Sequence, residues 1–226
     1  MASARTWTRS ALIVAVFAIL VVLTTQVTAQ GWLTDADVPV HDWFVDHRTD
    51  RWTTVADFVT NAGGPGWVVT TTVVLAAFVA WRRRSPMPAI FLLGIVETAA
   101  IASKFTKLAV GRDRPPEVSR LATVADMSYP SGHATHIAAF VGALWVVFEI
   151  RKHSTARIVS LATLSAFVVA AVACSRLYLG VHWLTDVVAG VLIAAVVVLI
   201  GALAYALVDG GEPLIQRVTA RRRAIV

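Results

Sequence analysis

Three short clusters of polar residues carry groups suited to chemistry on an anion. The first runs from Lys107 to Pro115 and contains Arg112 and Arg114. The second is Pro130, Ser131, Gly132 and His133, and the third runs from Ser175 and Arg176 through His182 to Asp186. Lys107, Arg114 and Arg176 offer fixed positive charge, and a guanidinium fork matches phosphate oxygens in a bidentate way. Ser131 and Gly132 stand just before an apolar run, where the free N–H groups and dipole of a starting helix favour an anion. Glycine lets the backbone come close, and Ser131 is placed either to cap the helix or to bond a phosphate oxygen. His182 and Asp186 are spaced to share one face of a helix. A carboxylate bonded to one ring nitrogen would fix the tautomer and leave the other nitrogen free to attack. His133 is a second histidine, able to protonate a leaving group. Each residue alone has a plainer use: an external arginine can bind lipid headgroups, a Ser-Gly pair can cap a helix, and a loop histidine can be solvated. It is the ordered set that points to phosphoryl chemistry.

The elements that must hold these clusters are apolar. Of 226 residues, 57% are hydrophobic and 15% charged, with mean hydropathy +0.70. Soluble domains carry about 25% charged residues, so the composition argues against a cytosolic enzyme. It also excludes a disordered chain, which needs low hydrophobicity and high charge. Six apolar runs cover residues 11–29, 66–81, 88–103, 134–150, 158–174 and 184–208. Each approaches the roughly 20 residues with which a helix crosses a bilayer. None alternates apolar with polar residues, so barrel strands are not expected. Backbone groups in lipid must be satisfied within the segment, which leaves helices. The expected fold is all-α: a single membrane-embedded domain over residues 1–226, a bundle of six transmembrane helices. Between the first two runs, Val40, Trp43, Phe44, Trp52, Val55, Phe58 and Val59 recur at helical spacing among Asp and Arg residues. This segment is expected to lie on the outer membrane surface as one or two short amphipathic helices. His41 and His47 fall in it and are expected to be solvated or interfacial rather than metal ligands.

Charge sets the orientation. Arg5, Arg9, Arg82, Arg83, Arg84, Arg151, Lys152, Arg157, Arg217, Arg221, Arg222 and Arg223 make 12 of the 20 basic residues, all in loops or termini on one side. Asp35, Asp37, Asp42, Asp46, Asp50 and Asp57 crowd the first loop on the other. The positive-inside rule therefore expects both termini in the cytoplasm and all three polar clusters outside. The net charge of +6 is then a topology signal, and no nucleic-acid partner is implied. Trp32, Trp67 and Trp183 at outer ends and Trp81 at an inner end fit interfacial anchors. Arg5, Arg9, the run 11–23 and the small residues that follow also fit a cleavable signal peptide. Cys174 is the sole cysteine, which rules out an internal disulfide or a thiolate cluster. Glu97, in the middle of the third run, is expected to face the bundle interior beside a partner. Glu149 falls at the inner edge, where it would be solvated. Arg112 and Asp113 are expected to pair with each other or with a headgroup.

The three clusters resemble those of the type 2 phosphatidic acid phosphatase superfamily, the lipid phosphate phosphatases. Its pattern is Lys, six residues, Arg-Pro; then Pro-Ser-Gly-His; then Ser-Arg, five residues, His, three residues, Asp. Lys107 to Arg114 and Pro115, Pro130 to His133, and Ser175, Arg176, His182 and Asp186 fit it in order. The compact loops resemble the bacterial branch. The resemblance implies that His182 attacks phosphorus to form a phosphohistidine, with Asp186 orienting its ring. It implies that His133 protonates the departing oxygen and then activates water. Lys107, Arg114, Ser131, Gly132 and Arg176 would hold the phosphoryl oxygens, with no metal and no cofactor. His136 has no role in the family pattern, and a metal site with His133 is not expected. The implied partners are a lipid phosphate substrate and the membrane itself, with polyprenyl diphosphate favoured among candidates that include phosphatidylglycerophosphate and phosphatidic acid. A lipid phosphotransferase using the same phosphohistidine and a non-catalytic headgroup binder are the competing classes. The sequence sets no oligomeric state.

Overall fold

The computed structural model describes residues 4–148 and 154–209, and every regular element among them is helical. They are α1 Ala4–Thr28, α2 Asp37–Asp46, α3 Asp50–Ala62, α4 Pro65–Arg83, α5 Met87–Val110, α6 Gly132–Val147, α7 Thr155–Tyr178 and α8 Leu184–Asp209, with short 3-10 turns at Trp32–Thr34 and Glu117–Ser119. Proline at the first position of α4 and the Thr49 hydroxyl accepting from the Trp52 N–H (3.3 Å) at the start of α3 are ordinary helix-start chemistry. Trp7–Thr28, Pro65–Arg83, Met87–Val110, Thr155–Tyr178 and Leu184–Val208 are long and apolar enough to cross a membrane. Helix α6 is equally apolar but has 16 residues, about 24 Å at 1.5 Å per residue. The rest of the fourth expected run, with Glu149, Arg151 and Lys152, lies outside the described residues, as do Arg217, Arg221, Arg222 and Arg223.

Helix α6 is the centre of the bundle, packed by α8, α5, α7 and α4, while α1 covers α8. Leu92, Ile95 and Val96 of α5 meet Ala143 and Val147 of α6 and Val68 and Ala76 of α4. Helices α5, α6 and α8 also meet alanine on alanine, through Ala99, Ala139 and Ala194, as small residues allow in membrane helices. A Cβ on Gly190 would lie 2.6 Å from the Ser131 carbonyl oxygen, so only glycine permits this approach of α8 to α6. The chain directions put the ends of α1, α5 and α7 and the starts of α4, α6 and α8 at one end of the bundle. At the opposite end Arg83 donates to the Val147 carbonyl (3.1 Å) and stands 5.4 Å over the Phe148 ring, a cation on the C-terminus of α6.

Three expectations change. The segment between α1 and α4 does form two short helices, but they do not merely lie on a surface. α2 packs on α7 and α8, and α3 on α7, with Asp37, His41, Ala56 and Thr60 buried beneath them. Arg48 fastens the pair by donating twice to the Tyr178 carbonyl, at 3.0 and 2.8 Å. His41 is accordingly buried, its Nε2 3.0 Å from the Ser119 hydroxyl and its ring 5.5 Å from Trp183; His47 remains exposed and stacks on Trp43. Trp183 is half-buried at the start of α8, and its Nε1 donates to the Asp113 carbonyl (3.0 Å). Glu97 is exposed on the outer face of α5, because the inward stripe of that helix is Leu92, Ile95, Val96, Ala99 and Ser103, and position 97 falls outside it.

Candidate active site

The turn between α7 and α8 delivers His182. Gly180 adopts φ +70°, and a Cβ there would stand 2.6 Å from the Ser119 carbonyl oxygen, so the reversal and the docking of the Glu117–Ser119 turn both require glycine. His182 thus precedes α8 instead of sharing a helical face with Asp186. Asp186 is the third residue of α8, and its Oδ2 reaches back to accept from the Trp183 N–H at 2.8 Å, the way an acidic residue closes a helix start. That reach-back also brings Oδ2 to 3.3 Å from His182 Nδ1. On the other side of the ring, Arg114 Nη1 lies 3.3 Å from His182 Nε2. Arginine only donates and an ionised carboxylate only accepts. The pairing therefore assigns the proton to Nδ1 and the lone pair to Nε2. Burial pushes His182 down to about 4; the Asp186 carboxylate pulls it back up, while Arg114 and Arg176 add to the lowering. The ring is neutral at physiological pH.

Asp186 is fully buried and fully engaged. Besides the Trp183 N–H, its Oδ2 accepts from the Ser128 hydroxyl, and its Oδ1 accepts from Arg112 Nη1 at 2.8 Å. Its backbone carbonyl accepts from the Ser131 N–H (2.9 Å), which fastens the start of α6 to the start of α8. Ser131 is the N-cap of α6, yet its side chain makes no capping bond, and its buried Oγ has no partner. Arg176, also buried, donates from Nη1 to the Thr60 hydroxyl (2.6 Å), but its Nε is unpartnered. Buried polar atoms normally find partners. Both orphans lie at the end of the bundle where the first N–H groups of α6 also lack helical partners, an arrangement that could take an anion.

Lys107 and Arg114 are held by one loop. Asp126 accepts from Arg114 Nη2 (2.6 Å) and pairs with Lys107 Nζ (3.2 Å); the Met127 carbonyl accepts from both side chains, and Arg114 also donates to the Val181 carbonyl (2.5 Å). Burial raises the Asp126 carboxyl, but Lys107 and Arg114 outweigh it and hold the group below its ordinary value. His133 sits half-buried in the first turn of α6, in the electrostatic reach of Arg176, His182 and Arg114, and a Cβ on Gly64 would come within 3.6 Å of its Nε2. His136 Nδ1 is turned back to the Gly132 carbonyl (2.7 Å). Every residue expected to bind or react with phosphate therefore gathers at one end of the bundle. Arg112 and Asp113 do not pair: Arg112 bonds Asp186 and Asp37. Sequence reasoning missed Asp37, Thr60, Asp126, Ser128 and Thr185. Ser128, two residues ahead of the Pro-Ser-Gly-His cluster, and Thr185, directly before Asp186, lay close enough to a motif to be noticed. An open cleft of about 460 Å³ borders the site between the end of α1 and residues 110–114, with Gln30, Arg114 and Trp183 in its wall.

Residues 88–208 match the PAP2 superfamily. Among solved structures, the chain is similar to the first transmembrane PAP2 type phosphatidylglycerolphosphate phosphatase from Bacillus subtilis, with a TM-score of 0.71 at 23% identity, covering 88% of this chain and 94% of that one. It is also similar to LpxE of Aquifex aeolicus, with a TM-score of 0.57 at 18% identity over 74% of this chain and 96% of that one. No curated protein sequence matches the chain. With more than half its length matched and all three polar clusters brought to one end of a membrane bundle, the chain belongs to the PAP2 superfamily and has its multi-pass membrane phosphatase fold.

Proposed function

We propose that this protein hydrolyses a lipid phosphate at the outer face of the membrane through a phosphohistidine, without a metal. The observation that carries the reading is the His182 ring, neutral and held between Asp186 on Nδ1 and Arg114 on Nε2. A phosphoryl group entering beside it would take over the Arg114 N–H groups and free the Nε2 lone pair for phosphorus. The N–P bond forms as the P–O bond to the lipid breaks, and His133, which takes up a proton together with the incoming phosphoryl anion, gives that proton to the departing lipid oxygen. Neutral His133 then takes a proton from water; the oxygen attacks phosphorus, the N–P bond breaks, and phosphate leaves. Lys107, Arg114, Arg176, Ser131 and the N–H groups of Gly132 and its neighbours would stabilise charge on the equatorial oxygens, where electrostatic catalysis of phosphoryl transfer is concentrated.

Within this class the charges favour a phosphate monoester. Arg112 is consumed by Asp37 and Asp186, and Asp126 shares Lys107 and Arg114, so few cations at this end stand free for a second phosphate. Phosphatidylglycerophosphate, the substrate class named for the Bacillus subtilis structure, fits one phosphoryl site; polyprenyl diphosphate, favoured from sequence, is the second reading. The test is phosphate release by purified protein in detergent with EDTA, offered both lipids and phosphatidic acid in parallel. Release that survives EDTA and disappears in His182→Ala supports the mechanism, and the ranking of kcat/KM chooses the substrate. Release that needs a divalent ion, or that persists in His182→Ala, would overturn it.

A further inference from the structure

Behind the nucleophile lies a charged relay that the phosphate site does not use. Arg112 donates from Nη1 to Asp186 Oδ1 (2.8 Å) and to the Thr185 hydroxyl (2.7 Å), and from Nη2 to Asp37 Oδ2 (2.7 Å). Asp37, at the start of α2 and 2% exposed, also accepts from the Thr185 N–H (2.9 Å) and hydroxyl (2.7 Å). The Trp183 ring covers the guanidinium at 5.6 Å, and His41 packs on that ring. With both of its terminal nitrogens committed, Arg112 is turned away from the phosphoryl position. We infer that Arg112 and Asp37 form a positioning pair for Asp186, an inference that rests on the reading of His182 as nucleophile.

The reason for two carboxylates on one arginine is charge. Arg112 alone would fix Asp186 in orientation but cancel its negative charge. Attack on phosphorus turns the His182 ring into a cation, and that cation needs a net negative partner. Asp37 neutralises Arg112, so Asp186 stays oriented and keeps its charge for the ring. The first external segment thereby enters the chemistry through one residue, although Asp37 touches neither His182 nor the phosphate ligands in the described contacts.

The test uses the full chain in detergent with EDTA and a lipid phosphate that the wild type hydrolyses, with His182→Ala as the silent control. Asp37→Asn, Arg112→Gln, Arg112→Lys and the double variant Asp37→Asn with Arg112→Gln are compared for kcat, KM and the inhibition constant of inorganic phosphate. Each of the two neutralising single variants is expected to lower kcat about 10- to 100-fold with KM and phosphate inhibition nearly unchanged, since the anion site is not touched. Arg112→Lys should recover part of the Arg112→Gln loss. The double variant, which restores net negative charge at Asp186, should be faster than Asp37→Asn alone. Single variants within twofold of wild type, losses that multiply in the double variant, or weakened phosphate inhibition alongside kcat would each overturn the inference. Failure of all four variants to fold would make the trio structural and overturn it equally. A wild type that releases no phosphate would bring down the reading of the site, and this inference with it.

Discussion

Asp126 engages two of the three cations proposed to bind phosphate, and with 57% of its side chain exposed it competes with any incoming anion. Exposed ion pairs contribute at most about 1 kcal/mol. Asp126→Asn is therefore expected to tighten competitive inhibition by inorganic phosphate, by up to about fivefold; a weaker inhibition would mean instead that Asp126 holds Lys107 and Arg114 in place. A second expectation concerns acid. A proton on His182 Nε2 removes the attacking lone pair, so activity is lost as pH falls through the ring's own value. That value is about 4, set by burial against the pull of Asp186. The acidic limb of kcat/KM, corrected for ionisation of the substrate, should thus fall well below the 6.5 of a free imidazole; a limb near 6.5 would contradict a buried, neutral ring. These roles were only partly legible in the sequence. His182, Asp186 and the cations carry a spacing that marks them as candidates, and of the two uses open to Ser131 the structure removes one, since its hydroxyl makes no capping bond. Arg112 has no such signal, because spacing does not say which distant carboxylate a guanidinium will meet.

The α6–α8 contact is the element-scale counterpart of that limit. Six apolar runs could be read directly, since lipid demands them; which runs touch, and where, depends on single small residues. Gly190 is such a residue, with the Ser131 carbonyl where a Cβ would be, and Ser131 in turn donates its N–H to the Asp186 carbonyl. Gly190→Ala must push α6 from α8, since a backbone oxygen cannot rotate away. Overpacking of this kind costs about 1–3 kcal/mol, and a displacement of about 1 Å at a reacting group costs on the order of 100-fold in rate. The variant should therefore unfold at lower temperature and lose kcat, whereas Gly94→Ala, with nothing within 4 Å of the added carbon, should change neither. Equal behaviour of the two variants in melting and turnover would refute the close approach. The same dependence on packing explains why Glu97 is exposed and not turned into the bundle. Depth in the membrane follows from its position in the run, but facing follows from the stripe of Leu92, Ile95, Val96 and Ala99, one position away from it.

At the scale of the whole molecule the two ends of the bundle differ in charge, and that difference predicts which side the chemistry faces. One end gathers Lys107, Arg114, Arg176, His133 and His182 with the aspartates of α2 and α3; the other carries Arg82, Arg83 and Arg84 beside the end of α6. Loops rich in arginine stay in the cytoplasm, and acidic ones contribute little to orientation. The site is therefore expected on the extracytoplasmic side. Cys174 is the sole cysteine and can be removed as Cys174→Ala, so single cysteines can then report sidedness. Thr123→Cys marks the loop at the site end and Ser154→Cys the exposed start of α7 at the other. In intact cells a membrane-impermeant maleimide should label position 123 at once and position 154 only after lysis. Labelling in the reverse order would put the site in the cytoplasm, and a lipid phosphate made on the inner leaflet would then be its substrate without first crossing the membrane.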